Sequence, residues 1–366
     1  MTLKCGIVGL PNVGKSTLFN ALTETLNAEA ENFPFCTIEP NIGTVLVPDE
    51  RLNNIANISK SEKTIPTTLE FVDIAGLVAG ASKGEGLGNQ FLASIREVDS
   101  IIHLVRCFTN DDITHVSGNV DAMRDIEIIE TELMLSDLES LTKRLPNLEK
   151  KAKTGDKELT ITIELIKDAI KLLEQGKPAR LLDIPQDKQK IFKMLNLLTS
   201  KKILFVCNVS ENEVISGNKE SEKVANYAKS VGSLSINISA QIEAEIAHLS
   251  SPQEKQEFLE SLGLTETGLN RIIQSSYKIL NLITFFTSGP KETRAWTILN
   301  HSTAKQAAGV IHSDFEHGFI CADTISYQDF IENKGEKQAK EMGKLRQEGK
   351  DYKVKDGDLF HFKFNV

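Results

Sequence analysis

The stretch Gly9-Leu10-Pro11-Asn12-Val13-Gly14-Lys15-Ser16 carries the pattern G-x-x-x-x-G-K-[ST]. It follows an apolar, strand-like run at residues 3–9 and precedes a helix-like run at residues 16–26, which is the context that the pattern requires. Glycines let the backbone curl until successive N–H groups face phosphate oxygens, and the following helix adds the positive end of its dipole. The stretch therefore predicts a phosphate-binding loop.

The pattern also assigns roles within this loop. Lys15 is expected to reach the β- and γ-phosphates of a nucleoside triphosphate, as a binding and a catalytic residue, and the Ser16 hydroxyl is expected to bind Mg²⁺. The nucleotide-binding residues predicted from the loop are Asn12, Val13, Gly14, Lys15, Ser16 and Thr17.

A second strand pattern supplies the acidic group of the metal site. Residues 70–76 (EFVDIAG) read as a strand that ends in D-x-x-G, so Asp73 is the expected metal ligand. The Gly76 amide is placed to contact the γ-phosphate. Between the two motifs, residues 32–41 (NFPFCTIEPN) are the best candidate for a switch loop, with Thr37 as a further ligand of Mg²⁺.

The base-recognition motif differs from that of guanine-binding proteins of this fold, in which a strand ends in N-K-x-D. Here Asn208 is present, but Val209 replaces the lysine and Glu211 replaces the aspartate. A longer acidic side chain moves the carboxylate that would accept two N–H bonds from guanine. Guanine recognition should be impaired, which makes adenine plausible. Ser239 and Ala240 fit the loop that covers the base.

Length and composition exclude several classes of protein. The chain has 366 residues, of which 40% are hydrophobic and 25% charged, so it is neither collagen-like nor wholly disordered. It has no apolar run of ~18 residues, which predicts no membrane span. The N-terminus lacks the features of a signal peptide, and five well-separated cysteines without a C-x-x-C pair favour a reducing, cytoplasmic location.

The order of strand and helix patterns predicts an α/β domain interrupted by an insertion. Strand and helix signals alternate over the first ~120 residues, which is typical of a largely parallel sheet. Residues 121–151 and 157–175 read as two long amphipathic helices joined by a short polar turn. These helices either pack on the domain or form a protruding coiled-coil arm, and their broad polar faces favour the arm.

The strand pattern resumes at residues 202–207 (KILFVC), and the character of the chain changes again after residue 281. We therefore predict a nucleotide-binding domain at residues 1–120 and 201–280. The helical insertion occupies residues 121–200, and a small, mainly β domain occupies residues 281–366.

Taken together, these motifs resemble the YchF/Obg-like ATPase family of P-loop NTPases. The resemblance rests on residues 9–17 (GLPNVGKST), 32–41, 73–92 (DIAGLVAGASKGEGLGNQFL) and 208–211 (NVSE), and it extends over essentially the whole chain. It implies a Ras-like G domain with helices on both faces of the sheet, an inserted coiled-coil hairpin and a C-terminal β-grasp-like TGS domain.

The resemblance also implies a function, namely hydrolysis of ATP in preference to GTP and association with the ribosome, as the large subunit or as 70S. Such a protein would act as a nucleotide-dependent switch in translation or the stress response. A GTPase or dual-specificity NTPase of the same fold, and a nucleotide sensor with negligible turnover, remain as alternatives.

The group that orients the attacking water is not evident. Leu77 occupies the position after D-x-x-G where many GTPases place glutamine, so slow hydrolysis is expected unless another group substitutes. The candidates are His115 as a catalytic residue, a K⁺ ion coordinated by Asn12, and a group supplied by a partner.

The net charge is −9, yet residues 334–355 are locally basic. They contain eight basic residues (Lys334, Lys337, Lys340, Lys344, Arg346, Lys350, Lys353, Lys355) against the four acidic residues Glu336, Glu341, Glu348 and Asp351. This stretch is either a face that contacts rRNA or a solvated loop.

Overall fold

The computed structural model describes residues 3–30, 41–75, 87–109, 120–152, 156–249 and 251–365, without the side chains of residues 24–30 and 87. The chain divides into two compact units. We call Leu3–Thr44 with Glu70–Ile272 the P-loop unit, and Val45–Leu69 with residues 273–365 the C-terminal unit.

The strands are β1 (Lys4–Val8), β2 (Ile42–Leu46), β3 (Lys63–Ile65), β4 (Thr68–Asp73), β5 (Ser100–Arg106), β6 (Lys202–Asn208), β7 (Leu234–Ile238), β8 (Leu282–Ser288), β9 (Glu292–Leu299), β10 (Phe319–Ser326), β11 (Arg346–Glu348) and β12 (Asp358–Phe364).

The helices are α1 (Lys15–Ala30), α2 (Glu50–Ser59), α3 (Leu87–Glu97), α4 (Ala122–Lys151), α5 (Lys157–Glu174), α6 (Gln189–Met194), α7 (Lys219–Ser230), α8 (Ala240–His248), α9 (Pro252–Ser261), α10 (Gly268–Ile279), α11 (Ala304–Ile311), α12 (Ser313–His317), α13 (Tyr327–Glu332) and α14 (Glu336–Glu341). Among the described residues, none of these helices is long and apolar enough to cross a membrane.

The first sheet has the strand order β2-β4-β1-β5-β6-β7. Strand β1 pairs in parallel with β4 and β5, and the pairs β5–β6 and β6–β7 are also parallel, which confirms the predicted α/β fold. Every residue of β5 is buried, because this strand has a neighbour on each side and helices cover the sheet. The carboxyl ends of parallel strands meet at one edge, where loops collect the functional side chains.

The two halves of the inserted helix α4 pack against different partners. Near its start, α4 buries Ala122, Ile126, Ile129 and Leu133 and contacts α7 and β5. Farther along, Leu141 of α4 shares an apolar core with one face of α5, including Leu165, Ile166, Ala169 and Leu173. The first half of α4 therefore packs on α7 and β5 within the P-loop unit, as in the less favoured sequence interpretation, and the second half forms the predicted hairpin with α5.

The second sheet has the order β11-β10-β12-β8-β9-β3. The pairs β10–β12 and β8–β9 are antiparallel, whereas β12–β8 and β3–β9 are parallel. Helix α11 contributes Ala307 and Ala308 to one apolar core, together with Phe285 and Phe360. The C-terminal unit is thus a mixed α/β structure rather than the mainly β domain that the sequence predicted, because helices cover its sheet.

The structure also differs from the predicted domain boundaries at residues 45–69, which the sequence assigned to the nucleotide-binding domain. Strand β3 pairs with β9 through the register Lys63↔Glu292 and Ile65↔Arg294. Helix α2 buries Leu52 and Ile55 in a core that also contains Phe286. This pairing and this burial join the segment to the C-terminal unit.

Candidate nucleotide-binding site

The predicted phosphate-binding loop joins β1 to α1, as its sequence context required. Gly14 has φ +93°, and a Cβ there would lie 2.5 Å from the Asn208 amide nitrogen. A Cβ on Gly9 would lie 2.8 Å from the Leu104 carbonyl oxygen. Both positions therefore require glycine, one for its backbone angle and both for space. The Leu18 amide donates to the Gly14 carbonyl at 3.0 Å and continues the loop into the helix.

Lys15 and Asp73 meet at the edge of the sheet. The Lys15 ammonium contacts the Asp73 carboxylate in a largely buried ion pair, with 12% and 18% of the two side chains exposed. The Asp73 amide donates to the Asn41 carbonyl at 2.8 Å, which fixes the end of β4. The structure therefore brings together the loop lysine and the acidic residue that the sequence placed in one site.

The donors at this point fit Mg²⁺. Ser16 lies exposed in the first turn of α1 and offers a hydroxyl oxygen, and Asp73 offers a carboxylate. In the described part of the chain, no group of three or more His, Cys, Asp or Glu side chains could hold a metal alone. Two oxygen ligands suit Mg²⁺, which normally keeps several waters and binds substrate phosphates in addition to one or two carboxylates.

Asn208 connects two loops of the site. Its amide nitrogen donates to the Val13 carbonyl at 2.9 Å, and its carbonyl oxygen accepts from the Ala240 amide at 3.0 Å. The side chain is only 4% exposed. The sequence assigned Asn208 to the base, but it did not reveal that this residue holds the phosphate loop against the loop that covers the base.

The remaining predicted base-binding residues line the same cleft, whose volume is about 1040 Å³. Val209 is buried, and its amide donates to the Ile238 carbonyl at 2.8 Å. Glu211 is exposed at the first position of a short helical turn, Glu211–Glu213. Ser239 is the N-cap of α8, which Ala240 begins. The structure therefore brings Asn208, Val209, Glu211, Ser239 and Ala240 to one cleft with the phosphate loop.

The sequence missed one side of this cleft. Phe108 and Thr109 follow β5 and line it, as do Gln241 and Ala244 of α8. The Arg106 guanidinium lies 4.6 Å from the centre of the Phe108 ring, and its Nε donates to the Phe108 carbonyl at 3.2 Å. The signal was available, because β5 and β6 are adjacent parallel strands and whatever follows β5 must lie beside Asn208.

Thr37, Gly76 and His115 lie outside the described residues, as does Leu77. Their proposed roles therefore rest on the sequence.

Comparisons with known proteins agree with this arrangement. A family model described as "50S ribosome-binding GTPase" matches residues 4–135. A second model, YchF-GTPase_C, described as "Protein of unknown function (DUF933)", matches residues 282–365.

Curated relatives match over the full length of both chains. The chain is 54% identical over 366 residues to the "Ribosome-binding ATPase YchF" of Escherichia coli O157:H7, and 52% identical over 368 residues to that of Bacillus subtilis (strain 168). Both matches cover 100% of this chain and 100% of the relative.

A solved structure, that of the Schizosaccharomyces pombe YchF GTPase, superposes with a TM-score of 0.87 at 38% identity and covers 99% of this chain and 98% of its own. With the phosphate loop, the altered base motif and the inserted helices in place, these full-length matches show that the chain belongs to the YchF family.

Proposed function

We propose that this protein binds ATP in preference to GTP, hydrolyses it with Mg²⁺, and acts as a nucleotide-dependent switch on the ribosome. The observation that carries the proposal is one cleft in which the phosphate loop faces Val209 and Glu211 where guanine-binding proteins of this fold place lysine and aspartate. The names of the curated relatives, which describe ribosome-binding ATPases, support it.

The phosphate end of the cleft supplies binding and charge. Lys15 would leave Asp73 to contact the β- and γ-phosphates, and the loop amides from Asn12 to Thr17 would surround them. Ser16 and Asp73 would hold Mg²⁺, with Thr37 as a third ligand, and the Gly76 amide would contact the γ-phosphate. When bound, Mg²⁺ neutralises charge on the phosphate oxygens.

The base end of the cleft supports the proposed preference for adenine. One N–H of the Asn208 amide is bonded to Val13, so the other N–H is available to the purine ring. That donor serves adenine and guanine alike. Discrimination must come from Glu211, whose carboxylate lies one methylene farther from the backbone than an aspartate and fits the paired N–H donors of guanine poorly. Buried Val209 adds an apolar contact for either base.

The catalytic group remains a separate proposal. His115, a K⁺ ion held by Asn12, or a group from a partner would orient the attacking water in place of Leu77. Asn12 lies exposed in the phosphate loop with φ +64°, so its side chain belongs to the cleft surface. Because no described residue supplies an evident water-orienting group, slow turnover by the isolated protein is expected.

A protein that associates with the ribosome acts in the cytoplasm, which we include in the proposal. The ribosome would also be the binding partner of the locally basic residues 334–355. We include contact with rRNA through the C-terminal unit in the proposal, with the large subunit or 70S as the target. No membrane partner is proposed.

Calorimetric titration tests the nucleotide preference. Non-hydrolysable ATP and GTP analogues would be titrated into the full chain with Mg²⁺, once in K⁺ and once in Na⁺. We expect the ATP analogue to bind at least about tenfold more tightly, a difference of ~1.4 kcal/mol. Equal or GTP-favoured binding would assign the protein to the GTPases or dual-specificity enzymes. Tight binding without turnover, even with ribosomes, would favour the nucleotide sensor.

A further inference from the structure

The first turn of α10 is bonded to a buried carboxylate of α8. The amides of Gly268 and Leu269 donate to the two carboxylate oxygens of Glu243, at 2.7 Å and 3.0 Å. Glu243 precedes Gly268 by 25 residues in the sequence, and only 2% of it is exposed. Hydrogen bonds to an ionised group are stronger than bonds between neutral groups, so this contact joins the two helices firmly.

A second bond ties α10 to the end of β7, just before α8. The Arg271 guanidinium donates to the Asn237 carbonyl at 3.0 Å. The backbone of α10 also approaches closely, because a Cβ on Gly268 would lie 2.7 Å from the Glu243 Oε1 and 2.9 Å from the Ile238 Cγ2. Any side chain at position 268 would therefore push α10 away from β7 and α8.

The opposite side of this connection faces the nucleotide cleft. We call residues 237–240, between β7 and the start of α8, the base loop. The Ala240 amide donates to the Asn208 side chain at 3.0 Å, and both residues line the cleft. Gln241 of α8 lines it as well, whereas Glu243 of the same helix is bonded to α10. The base loop is therefore held between Asn208 on the cleft side and α10 on the other side.

Helix α10 also has a cap of its own. The Asn270 amide donates to the Thr267 hydroxyl at 3.0 Å, which is a common way to satisfy the N-terminus of a helix. Burying the Glu243 carboxylate costs free energy, which its two N–H bonds offset. What these bonds add to the cap is a connection between α10 and the base loop.

We propose that Glu243 is a positioning residue for the nucleotide. It holds the base loop in place from the side away from the cleft, together with Arg271, and it raises nucleotide affinity without touching the ligand. The inference rests on the proposed nucleotide site and deepens it. A loop that is ordered before the ligand arrives loses less conformational freedom on binding, so the bonds to α10 contribute to affinity.

The effect must be mutual. If the bonds of Glu243 favour the bound nucleotide, the bound nucleotide favours these bonds by the same factor. We expect a saturating ATP analogue with Mg²⁺ to slow hydrogen exchange of the Gly268 and Leu269 amides by about fivefold or more. Exchange at these amides that does not respond to the analogue, although the analogue binds, would overturn the inference.

Mutagenesis compares three variants of the full chain. E243Q replaces one carboxylate oxygen with an amide nitrogen, which cannot accept, so a buried backbone donor is left unsatisfied. R271A removes the second bond to the base loop and decides the question if E243Q does not fold. T267A is the matched control, because it removes the cap of the same helix while the bonds to the base loop remain.

Steady-state ATP hydrolysis separates positioning from folding. Since slow turnover is expected, KM reports the dissociation constant. We expect E243Q to raise KM by about fivefold or more, with kcat within about twofold of the unmodified protein, because the phosphate end of the cleft is unchanged. Partial unfolding would do the reverse, since it lowers the active fraction, and with it kcat, at constant KM. R271A should also raise KM, and T267A should leave it within about twofold.

An unchanged KM in E243Q, or an equal rise in T267A, would overturn the inference. If E243Q does not fold, an unchanged KM in R271A would overturn it instead.

The proposed function is judged separately. If the unmodified protein prefers GTP, or binds nucleotide without turnover, the ATPase proposal fails. The dissociation constant of the bound nucleotide, measured by calorimetry in the same variants, then replaces KM as the test of Glu243. If the unmodified protein binds neither nucleotide, both proposals are wrong.

Discussion

Among single residues, Val209 and Glu211 are the positions to which we assign the proposed base preference. Both line the cleft, and they follow Asn208, whose side chain is fixed by Val13 and Ala240. The backbone that carries Val209 and Glu211 is therefore held in place at Asn208, and a change in side-chain length at these two positions should alter which base fits.

We expect V209K/E211D to move the preference toward GTP. The aspartate shortens the acidic side chain by one methylene and allows paired N–H bonds from guanine, and the lysine stem can cover the base. The ratio of GTP to ATP affinity should rise by about tenfold or more, which corresponds to ~1.4 kcal/mol, as measured by calorimetric titration with both analogues. V209K alone is the control and should change the ratio less, because Glu211 stays in place. An unchanged ratio in the double variant would remove Glu211 as the discriminating residue.

His103 is a second residue with a measurable consequence. It is 1% exposed in the middle of β5, and burial, with a smaller contribution from Arg180, lowers its pKa from 6.5 to about 3. Above pH 6.5 the ring is neutral in both the folded and the unfolded chain. Below pH 6.5 the unfolded chain binds a proton at this ring, whereas the folded chain does not bind it until about pH 3. The free energy of unfolding therefore decreases as the pH is lowered from 6.5 to about 3.

We expect the free energy of unfolding of the P-loop unit to lose about 2 kcal/mol between pH 7 and pH 5 through this one group. H103L should remove that loss, as measured by hydrogen exchange of the β5 and β6 amides at both pH values. Burial raises the pKa of Asp137 and Glu243, so these two groups change the free energy of unfolding with pH in the opposite direction. Both groups are present in the unmodified protein and in H103L, so their contributions cancel when the two proteins are compared. Equal pH dependence in H103L would show that His103 titrates normally.

At the level of elements, the sequence predicted strands and helices most accurately where a motif requires a particular element on each side of it. The phosphate loop requires a strand before it and a helix after it, and β1 and α1 are found there. Apolar runs also marked β4, β6 and β7. Strand β3 was missed because it has three residues and is defined by pairing with β9, some 230 residues away. No local pattern reports such a contact.

The sequence was less complete for the site than for the fold. It named the cleft residues Asn208, Val209 and Glu211 from their motif, but the bond from Asn208 to Val13 depends on how two distant loops approach. Phe108 was missed because nothing in its neighbourhood forms a motif, and only its place after β5 brings it to the cleft.

One buried carboxylate holds the end of the helical insertion, where the chain re-enters the sheet. Asp137 of α4 accepts from the Leu198 amide at 2.9 Å, the Thr199 amide at 2.8 Å and the Thr199 hydroxyl at 2.7 Å. The side chain has no exposed area. These bonds fix the turn Leu198–Ser200 immediately before β6, the strand that ends at Asn208.

We expect D137N to destabilise the P-loop unit by about 1–3 kcal/mol, because an amide group cannot accept on its nitrogen and leaves at least one buried donor unsatisfied. Chemical denaturation followed by far-UV circular dichroism measures the change. D168N, at an exposed position on α5, is the matched control and should stay within about 0.5 kcal/mol of the unmodified protein. A similar small effect for D137N would mean that another group holds the turn.

For the whole molecule, the nucleotide cleft belongs to only one of the two units. All residues that line the nucleotide cleft lie in the P-loop unit, whereas Val45–Leu69 and residues 273–365 form the C-terminal unit. Ligand binding stabilises the part of a protein that binds it, by about 2.7 kcal/mol when the ligand concentration is 100 times the dissociation constant. ATP with Mg²⁺ should therefore stabilise one unit much more than the other.

The single tryptophan makes this expectation measurable. Trp296 lies in β9 of the C-terminal unit, and its Nε1 donates to the Thr287 hydroxyl at 2.9 Å while the Arg294 guanidinium lies 4.1 Å from its ring centre. Unfolding of this unit must change its fluorescence. We expect a saturating ATP analogue with Mg²⁺ to raise the denaturation midpoint detected by circular dichroism in the helix-rich P-loop unit and to leave the tryptophan midpoint nearly unchanged.

Lys15→Ala is the control, since it removes a phosphate contact within the P-loop unit without altering any residue near Trp296. In that variant the analogue should shift neither midpoint. A shift of both midpoints in the unmodified protein would show that the two units unfold in one cooperative transition. In such a transition, nucleotide bound to the P-loop unit also raises the midpoint reported by Trp296 in the C-terminal unit. A shift of the tryptophan midpoint alone would place the nucleotide in the C-terminal unit and contradict the assigned cleft.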